Sequence, residues 1–523
     1  MRQLSPAGYQ RRHGMKDLSG NWRDRRDVWR RKTVKEAFAI TASGKCERRH
    51  PDADRVVVLM ILALAKREGK KGPGPLNNVG IANGGRGAMI KPPMNLQELR
   101  RRIYLKAKSD KAHRFWGIFV HVTKMETLAE AYRIAKSNDG AAGIDGQTFD
   151  DIEAVGCGSF LTDIQRELIA GEYKPRANRR HEIPKGNGKV RTLQIPCIRD
   201  RVVQGALKLI LEAIFEADFC NNSYGFRLQR SQHRALAEVR TSLLRRMNVV
   251  IDVDLSKYFD TIRHSILLKK IAARVDDPEV MKLIKQIIKA AGKIGVPQGG
   301  PFSPLASNIY LNEIDWQFDE IRKKTAQGDY EAVNYHRFAD DIVITVSGHH
   351  TKRGWAEKAR TRLKEALTPL GVELNTEKTK MVNTLKGEAF GFLGFDLRRA
   401  KSGKTGKNFI LLTPKKKSRL SIKAKIREII ARSGSMPMKV VIKRLNAAVA
   451  GWVQYFRVGN SNRAFSEVRE YLEMKVRTLL TRRKRRRKRS IGWRRWSNEY
   501  LYDVLGLYWG WKLQHLENAG AYR

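Results

Sequence analysis

Cysteine is scarce in this chain. Cys46, Cys157, Cys197 and Cys220 are its four thiols in 523 residues, and no two form a Cys-x-x-Cys pair. That excludes a disulfide-stapled scaffold or zinc ribbon and indicates a reducing compartment. Long apolar runs are also missing. The longest, Val56 to Ala65, has ten residues, about half of a membrane span, and no export signal opens the chain. No membrane partner is expected, and the cytoplasm is the expected location. The third shortage is negative charge: 53 acidic against 103 basic side chains leave +50. A chain this self-repelling calls for a polyanionic partner. The apolar share of 41% is nevertheless ordinary for a globular protein, so the charge belongs to something folded.

Residues 1–90 read as a basic N-terminal extension. It ends in Gly69-Lys-Lys-Gly-Pro-Gly-Pro and Asn83-Gly-Gly-Arg-Gly, punctuation typical of a linker. It is either an RNA-gripping arm or an upstream stretch ahead of a start at Met89 or Met94. Within it, 33–42 and 55–65 have the pattern of elements. From Asn95 the pattern changes: Leu96, Leu99, Ile103 and Leu105 recur at near-helical spacing around Arg100, Arg101 and Arg102, which predicts an amphipathic helix with a cationic face. Helices then alternate with short β-branched runs, as in Asn248-Val-Val-Ile-Asp-Val-Asp-Leu and Asp341-Ile-Val-Ile-Thr-Val. After about 410, helical periodicity takes over at 418–432, 437–457 and 463–485. A mixed α/β region followed by an all-helical one is expected.

The chemistry centres on Tyr335-His-Arg-Phe-Ala-Asp-Asp-Ile-Val-Ile. Apolar residues on both sides predict a β-hairpin with Asp340 and Asp341 at its turn. Adjacent carboxylates repel unless cations neutralise them, and Mg²⁺ prefers one or two carboxylates with phosphate oxygens and water. In Val249-Val-Ile-Asp-Val-Asp-Leu, strand alternation puts Asp252 and Asp254 on one face. Asp254, at the strand end, is the candidate third ligand. Three such carboxylates suit two Mg²⁺ ions in nucleotidyl transfer, with Mn²⁺ as the alternative metal.

These segments resemble the ordered blocks of a reverse transcriptase, specifically those of the bacterial group II intron reverse transcriptase/maturase proteins, over roughly residues 94–510. The blocks occur in the family's order: Ile183-Pro-Lys-Gly-Asn-Gly-Lys-Val-Arg-Thr-Leu, Tyr224-Gly-Phe-Arg, the Asp254 block, Gly295-Val-Pro-Gln-Gly-Gly-Pro, the Asp-Asp hairpin, Leu374-Asn-Thr-Glu-Lys-Thr and Phe390-Gly-Phe-Leu-Gly-Phe. The resemblance implies a right-hand polymerase with an α/β palm and fingers and an all-α thumb. It divides the chain at 91–180 (early fingers), 181–405 (fingers and palm), 406–490 (thumb, or maturase domain X) and 491–523 (a basic aromatic segment).

Residue by residue, the resemblance makes Asp254, Asp340 and Asp341 metal ligands, with the Leu255 carbonyl as a further ligand. Lys185, Arg191 and Gln298 become nucleotide contacts, and Phe259 the ring that excludes a 2′-hydroxyl. Lys378 becomes the general acid for pyrophosphate, and Gly391, Phe392, Leu393 and Gly394 the primer grip. The family usually has Tyr where this chain has Phe338. Trp and Tyr interleaved with Arg in Ala450-Gly-Trp-Val-Gln-Tyr-Phe and Gly492-Trp-Arg-Arg-Trp resemble the RNA-binding thumb. The eight-residue basic run Arg482, Arg483, Lys484, Arg485, Arg486, Arg487, Lys488 and Arg489, with Arg494 and Arg495, is expected to bind phosphate backbones.

The implied partners are intron RNA, an RNA template with a DNA primer, dNTPs and target DNA, and the implied setting is a bacterial cytoplasm, on the nucleoid during DNA work. No Cys follows Cys220, so the family's His-Asn-His endonuclease is expected to be absent. The other readings are a reverse transcriptase domesticated for defence or repair, and a non-catalytic RNA-binding splicing factor.

Overall fold

The computed structural model describes residues 95–186, 189–290, 292–326, 331–348, 354–483 and 495–514. The 1–90 extension, Lys484 to Arg489 and Arg494 lie outside the described residues, as does the side chain of Lys185.

Helix α1 (Leu96–Ser109) is opened by Asn95, whose side chain accepts the Glu98 backbone N–H and so satisfies one of the helix's orphan donors. Its buried stripe is Leu96, Leu99, Ile103 and Ala107. Leu105 was expected on that stripe but is 41% exposed, because two residues past Ile103 an α-helix has turned through about 200°. Next come α2 (Phe119–Thr123), α3 (Met125–Ser137), α4 (Phe149–Val155) and α5 (Cys157–Ile169). The antiparallel hairpin of β1 (Arg179–Gly186) and β2 (Lys189–Ile195) leads into α6 (Ile198–Glu216). Helix α6 is buried nearly all round, with α1, α2 and α3 packed against it.

The next elements are α7 (Gln232–Leu244), β3 (Val249–Val253), α8 (Tyr258–Thr261), α9 (His264–Ala272), α10 (Pro278–Lys289), α11 (Ser303–Thr325), β4 (Val333–Phe338), β5 (Asp341–Val346), α12 (Trp355–Leu367) and β6 (Lys380–Asn383). The four strands pair antiparallel in the order β4-β5-β3-β6. Alternate strand residues face opposite ways, so the sheet separates two cores. Ile251, Val253, Ile342 and Ile344 pack with α11 and α12, while Val250, Val343 and Val382 pack with α7.

Strand β4 carries charge into the interior. The fully buried Arg337 donates to both Asp315 oxygens, at 2.7 and 2.5 Å, to Asn308 Oδ1 at 2.9 Å and to the Ala339 carbonyl at 3.0 Å. Removing one partner of such a pair typically costs about 3–5 kcal/mol. Arg337 thereby ties β4 to α11 and holds the first residue of the turn that follows.

Strands continue further along the chain than the expected boundary at 406. Strands β7 (Phe390–Phe392), β8 (Phe395–Lys401) and β9 (Asn408–Pro414) form a second antiparallel sheet, because Asn408–Pro414 alternates outward and buried residues. The helical region therefore begins at Lys416. Its helices, α13 (Lys416–Ala431), α14 (Met438–Phe456) and α15 (Asn462–Arg483), fall within two residues of the three expected spans. Among the described residues no helix is long and apolar enough to cross a membrane.

His336, buried in β4, has its Nε2 3.1 Å from Ser242 Oγ, and its Nδ1 has no hydrogen-bond partner. Burial pushes its pKa down to about 3 from an ordinary 6.5. Between those values the unfolded chain holds a proton that the folded chain does not. Stability is therefore full above about 6.5 and is lost as pH falls toward 3, by about 1.4 kcal/mol per pH unit. Going from about pH 7.5 to about pH 5 should cost the wild type about 2 kcal/mol more than it costs His336→Gln, as read from urea unfolding midpoints. Equal losses in the two proteins would clear His336 of the effect.

Candidate active site

Two residues, Ala339 and Asp340, join β4 to β5, and Phe338 pairs with Asp341. Ala339 has φ 59, the left-handed conformation that two-residue hairpins require. Both aspartates were expected in the turn, but Asp341 is the first residue of β5. It shares the parity of Val343, as Asp252 shares that of Val250, so both belong to the α7 face of the sheet. Val253 pairs with Ile342, and continuing that register sets Asp254 across from Asp341.

The cluster is electrostatically strained. Local desolvation, reinforced by Asp340, Asp252 and Asp254, pushes the Asp341 carboxyl up to about 6, although the residue keeps an exposed surface at the start of β5. Burial also raises Asp252, against the pull of Lys415. Lys378 Nζ lies 2.8 Å from Asp254 Oδ2, a contact that the sequence reading did not anticipate. Bonds from Ser256 N to the Glu373 carbonyl and from Asn375 N to the Asp254 carbonyl flank Leu255, leaving its own carbonyl outside that ladder. Among the described residues no three His, Cys, Asp or Glu side chains are grouped so as to hold a metal ion by themselves. The carboxylates of Asp252, Asp254, Asp340 and Asp341 lie near enough to act on one another's charge, and their oxygens are hard donors in an anionic setting. That suits Mg²⁺, which takes a few carboxylates and draws its other ligands from phosphate and water.

A second group lies on β2 and the Gly295–Gly300 loop. Arg191 Nε donates to Gln298 Oε1 at 3.0 Å, and Gln194 N–H to the Gln298 carbonyl at 2.8 Å. The fold therefore joins two of the predicted nucleotide contacts directly. Phe259 is half-buried against Tyr258, with ring centroids 5.4 Å apart, and its carbonyl accepts from Val296 N–H on the same loop as Gln298. Lys185 sits on the paired strand β1.

The predicted grip is the β7–β8 turn. Leu393 and Gly394 have φ 47 and 76, the paired left-handed residues of a tight hairpin. Residues of the helical region and of the junction just before it hold this turn. Lys415 N–H and Ser418 Oγ donate to the Gly394 carbonyl, and Tyr455 Oη donates to the Leu393 carbonyl at 3.1 Å. Lys415 and Tyr455 are site residues that sequence reasoning missed. The Lys415 side chain passes over Gly391, where a Cβ would fall 1.9 Å from Nζ, and its charge acts on Asp252, Asp341 and Asp396. The available signal was the bare Gly between Phe390 and Phe392. Gly391→Ala should displace Lys415 and lower primer extension by about ten- to a hundred-fold, with RNA binding within about two-fold. Extension at the wild-type rate would show that the Lys415 path over Gly391 is immaterial.

The predicted RNA contacts fare unevenly. Arg100 departs from the cationic-face expectation: it donates to Glu212 at 2.9 Å and to the Leu209 carbonyl at 3.0 Å, which ties α1 to α6. Arg101 and Arg102 share Glu98 on the outer face. Arg482 is exposed. Arg483 donates to the Gly434 carbonyl, and Arg495 lies over the buried Trp496. Trp452 packs between Phe456 and Phe465.

Residues 183–397 match the family described as "Reverse transcriptase (RNA-dependent DNA polymerase)", and residues 419–501 match "Group II intron, maturase-specific domain". Protein YkfC of Escherichia coli (strain K12) is 36% identical over 365 residues, which cover 62% of this chain and 94% of YkfC. Group II intron-encoded protein LtrA of Lactococcus lactis subsp. cremoris is 28% identical over 380 residues, covering 60% of this chain and 61% of LtrA. The putative COX1/OXI3 intron 1 protein of Saccharomyces cerevisiae is 27% identical over 326 residues, covering 52% of this chain and 38% of that protein. The chain thus spans nearly all of the first relative and less than two thirds of the other two. With both family segments in order on one polypeptide and a relative matched almost end to end, the chain belongs to the group II intron reverse transcriptase/maturase family, whose polymerase is RNA-directed.

Proposed function

We propose that this RNA-directed DNA polymerase works at the β4–β5 hairpin, where a primer 3′-hydroxyl attacks the α-phosphate of a dNTP and pyrophosphate leaves. The observations that carry the reading are the β3–β5 register, which ends with Val253 opposite Ile342 and, continued by one residue, brings Asp254 opposite Asp341, and the contact of Lys378 with Asp254. In this reading the four-stranded sheet is the palm, the β1–β2 hairpin belongs to the fingers, and α13 to α15 form the thumb. Asp254, Asp340, Asp341 and the Leu255 carbonyl would hold two Mg²⁺ ions, or Mn²⁺ in their place. When bound, such ions favour deprotonation of the attacking hydroxyl and offset charge on the leaving group.

The chain's own residues do the rest. Arg191, fixed by Gln298, and Lys185 hold the triphosphate; a guanidinium offers phosphate a fork and an ammonium a point charge. Lys378 Nζ gives a proton to the departing pyrophosphate. The ring of Phe259 occupies the space a 2′-hydroxyl needs, and the Gly391–Gly394 turn positions the primer end. The basic helical surface, with Arg101, Arg102, Arg482 and Arg495, binds the folded intron RNA and steadies it for splicing. The ribonucleoprotein then uses target DNA as primer for retrohoming, in the cytoplasm and on the nucleoid.

Primer extension on an RNA template tests the site. Asp340→Ala should reduce synthesis to background while RNA affinity stays within about two-fold of wild type, since a carboxylate contributes nothing to phosphate binding. Synthesis by Asp340→Ala would refute the assignment. Phe259→Ala should lower discrimination against ribonucleotides by about ten- to a hundred-fold, measured as the ratio of kcat/KM for dNTP and rNTP. An unchanged ratio would assign the ring to packing.

A further inference from the structure

The block Tyr224-Gly-Phe-Arg takes no part in the chemistry above, yet its loop is bolted to the catalytic hairpin. Tyr224 N–H donates to the Arg337 carbonyl and Arg337 N–H to the Asn222 carbonyl, both at 2.9 Å, which makes Ser223 a parallel bridge partner of Arg337. Gly225 lies so close to the turn that a Cβ there would meet Ala339 N at 2.4 Å, and its carbonyl accepts from Asn308 Nδ2. On the other side Arg227 is buried. It donates to Glu216 and to the carbonyls of Cys220 and Ser223.

Phe226 stands between these two fixed residues with φ 57 and 52% of its surface exposed. Left-handed backbone is an outlier for a bulky residue, and such strain persists where the surroundings over-determine it. Here it does not serve burial, because the ring it carries faces solvent. The centroid of that ring is 6.4 Å from that of Phe338, at 46°, on the residue before the Ala339–Asp340 turn. A rigid, exposed aromatic face beside carboxylates, in a chain of net charge +50, matches one chemistry well. A nucleobase presents a flat π-face whatever its identity, while its phosphates answer the surrounding charge.

We propose that Phe226, with Phe338 beside it, is an aromatic shelf that receives the base at the 3′ end of the primer. The inference rests on placing the polymerase reaction at Asp340 and Asp341, since that reaction brings the primer terminus to this turn. The shelf would act before and apart from the chemistry, by setting the terminal base pair at a fixed height over the sheet.

A primer–template carrying 2-aminopurine at the primer's 3′ position, titrated with the full chain, tests it. Wild type should quench the fluorescence. Phe226→Gly should remove the quench and weaken primer–template binding about ten-fold, and Phe226→Trp should restore both. Glycine is at ease at φ 57, so Phe226→Gly should unfold at the same temperature as wild type or higher. A ring that merely packed the fold would lower the unfolding temperature instead. An unchanged quench in Phe226→Gly, or a lowered unfolding temperature with unchanged binding, overturns the shelf. Primer extension by Asp340→Ala would sink the placement of the reaction, a failure separate from loss of the fluorescence difference.

Discussion

Carboxylates that repel one another are held together here by a backbone ladder. The antiparallel pairing of β3 with β5 holds Asp252 on the same face as Asp341 and ends at Val253, one residue before Asp254. The repulsion shows in Asp341, which local desolvation and its acidic neighbours make reluctant to ionise. The sheet can bear this load because Arg337 anchors its edge strand from within. That guanidinium grips Asp315 on α11 and the carbonyl of Ala339, so the turn that carries Asp340 is tied to the interior. A buried pair of this kind is weak evidence of net stability, but it fixes one arrangement over others.

Compensation for the negative cluster comes from separate parts of the chain. Lys378 arrives from the segment before β6, and Lys415 from the junction of β9 with α13. The second matters for how the molecule is put together. Residue 415 falls between the stretch matched as reverse transcriptase and the stretch matched as maturase-specific domain. Together with Tyr455 on α14 it carries helical-region chemistry to the edge of the carboxylate site. The two halves therefore share an electrostatic boundary.

Strand parity made much of this legible. The alternation in Val-Val-Ile-Asp-Val-Asp placed Asp252 and Asp254 on one face, and the apolar runs around Asp340 implied a hairpin; the three helices after residue 415 followed from spacing alone. Four things were harder to read. Asp341 begins a strand because a two-residue turn suffices. Strand β9 runs past the expected boundary because half-buried strands and helix starts share local composition. Arg100 looked like surface charge since its partner Glu212 is 112 residues away, a separation that no window along the chain can bridge. Lys415 was invisible for a related reason: in a Lys-Lys-Lys run nothing distinguishes the one residue that turns inward over a glycine.

The loop at Asn222 to Tyr224 has one more effect. Strand β4 is one of the two edge strands of the sheet, and an unprotected edge strand is a template for another chain's backbone. By bonding to Arg337 on both sides of Ser223, the loop occupies part of that template. The segment that supports Phe226 thus also blunts self-association, and a change that frees it would expose the protein to sheet-mediated aggregation.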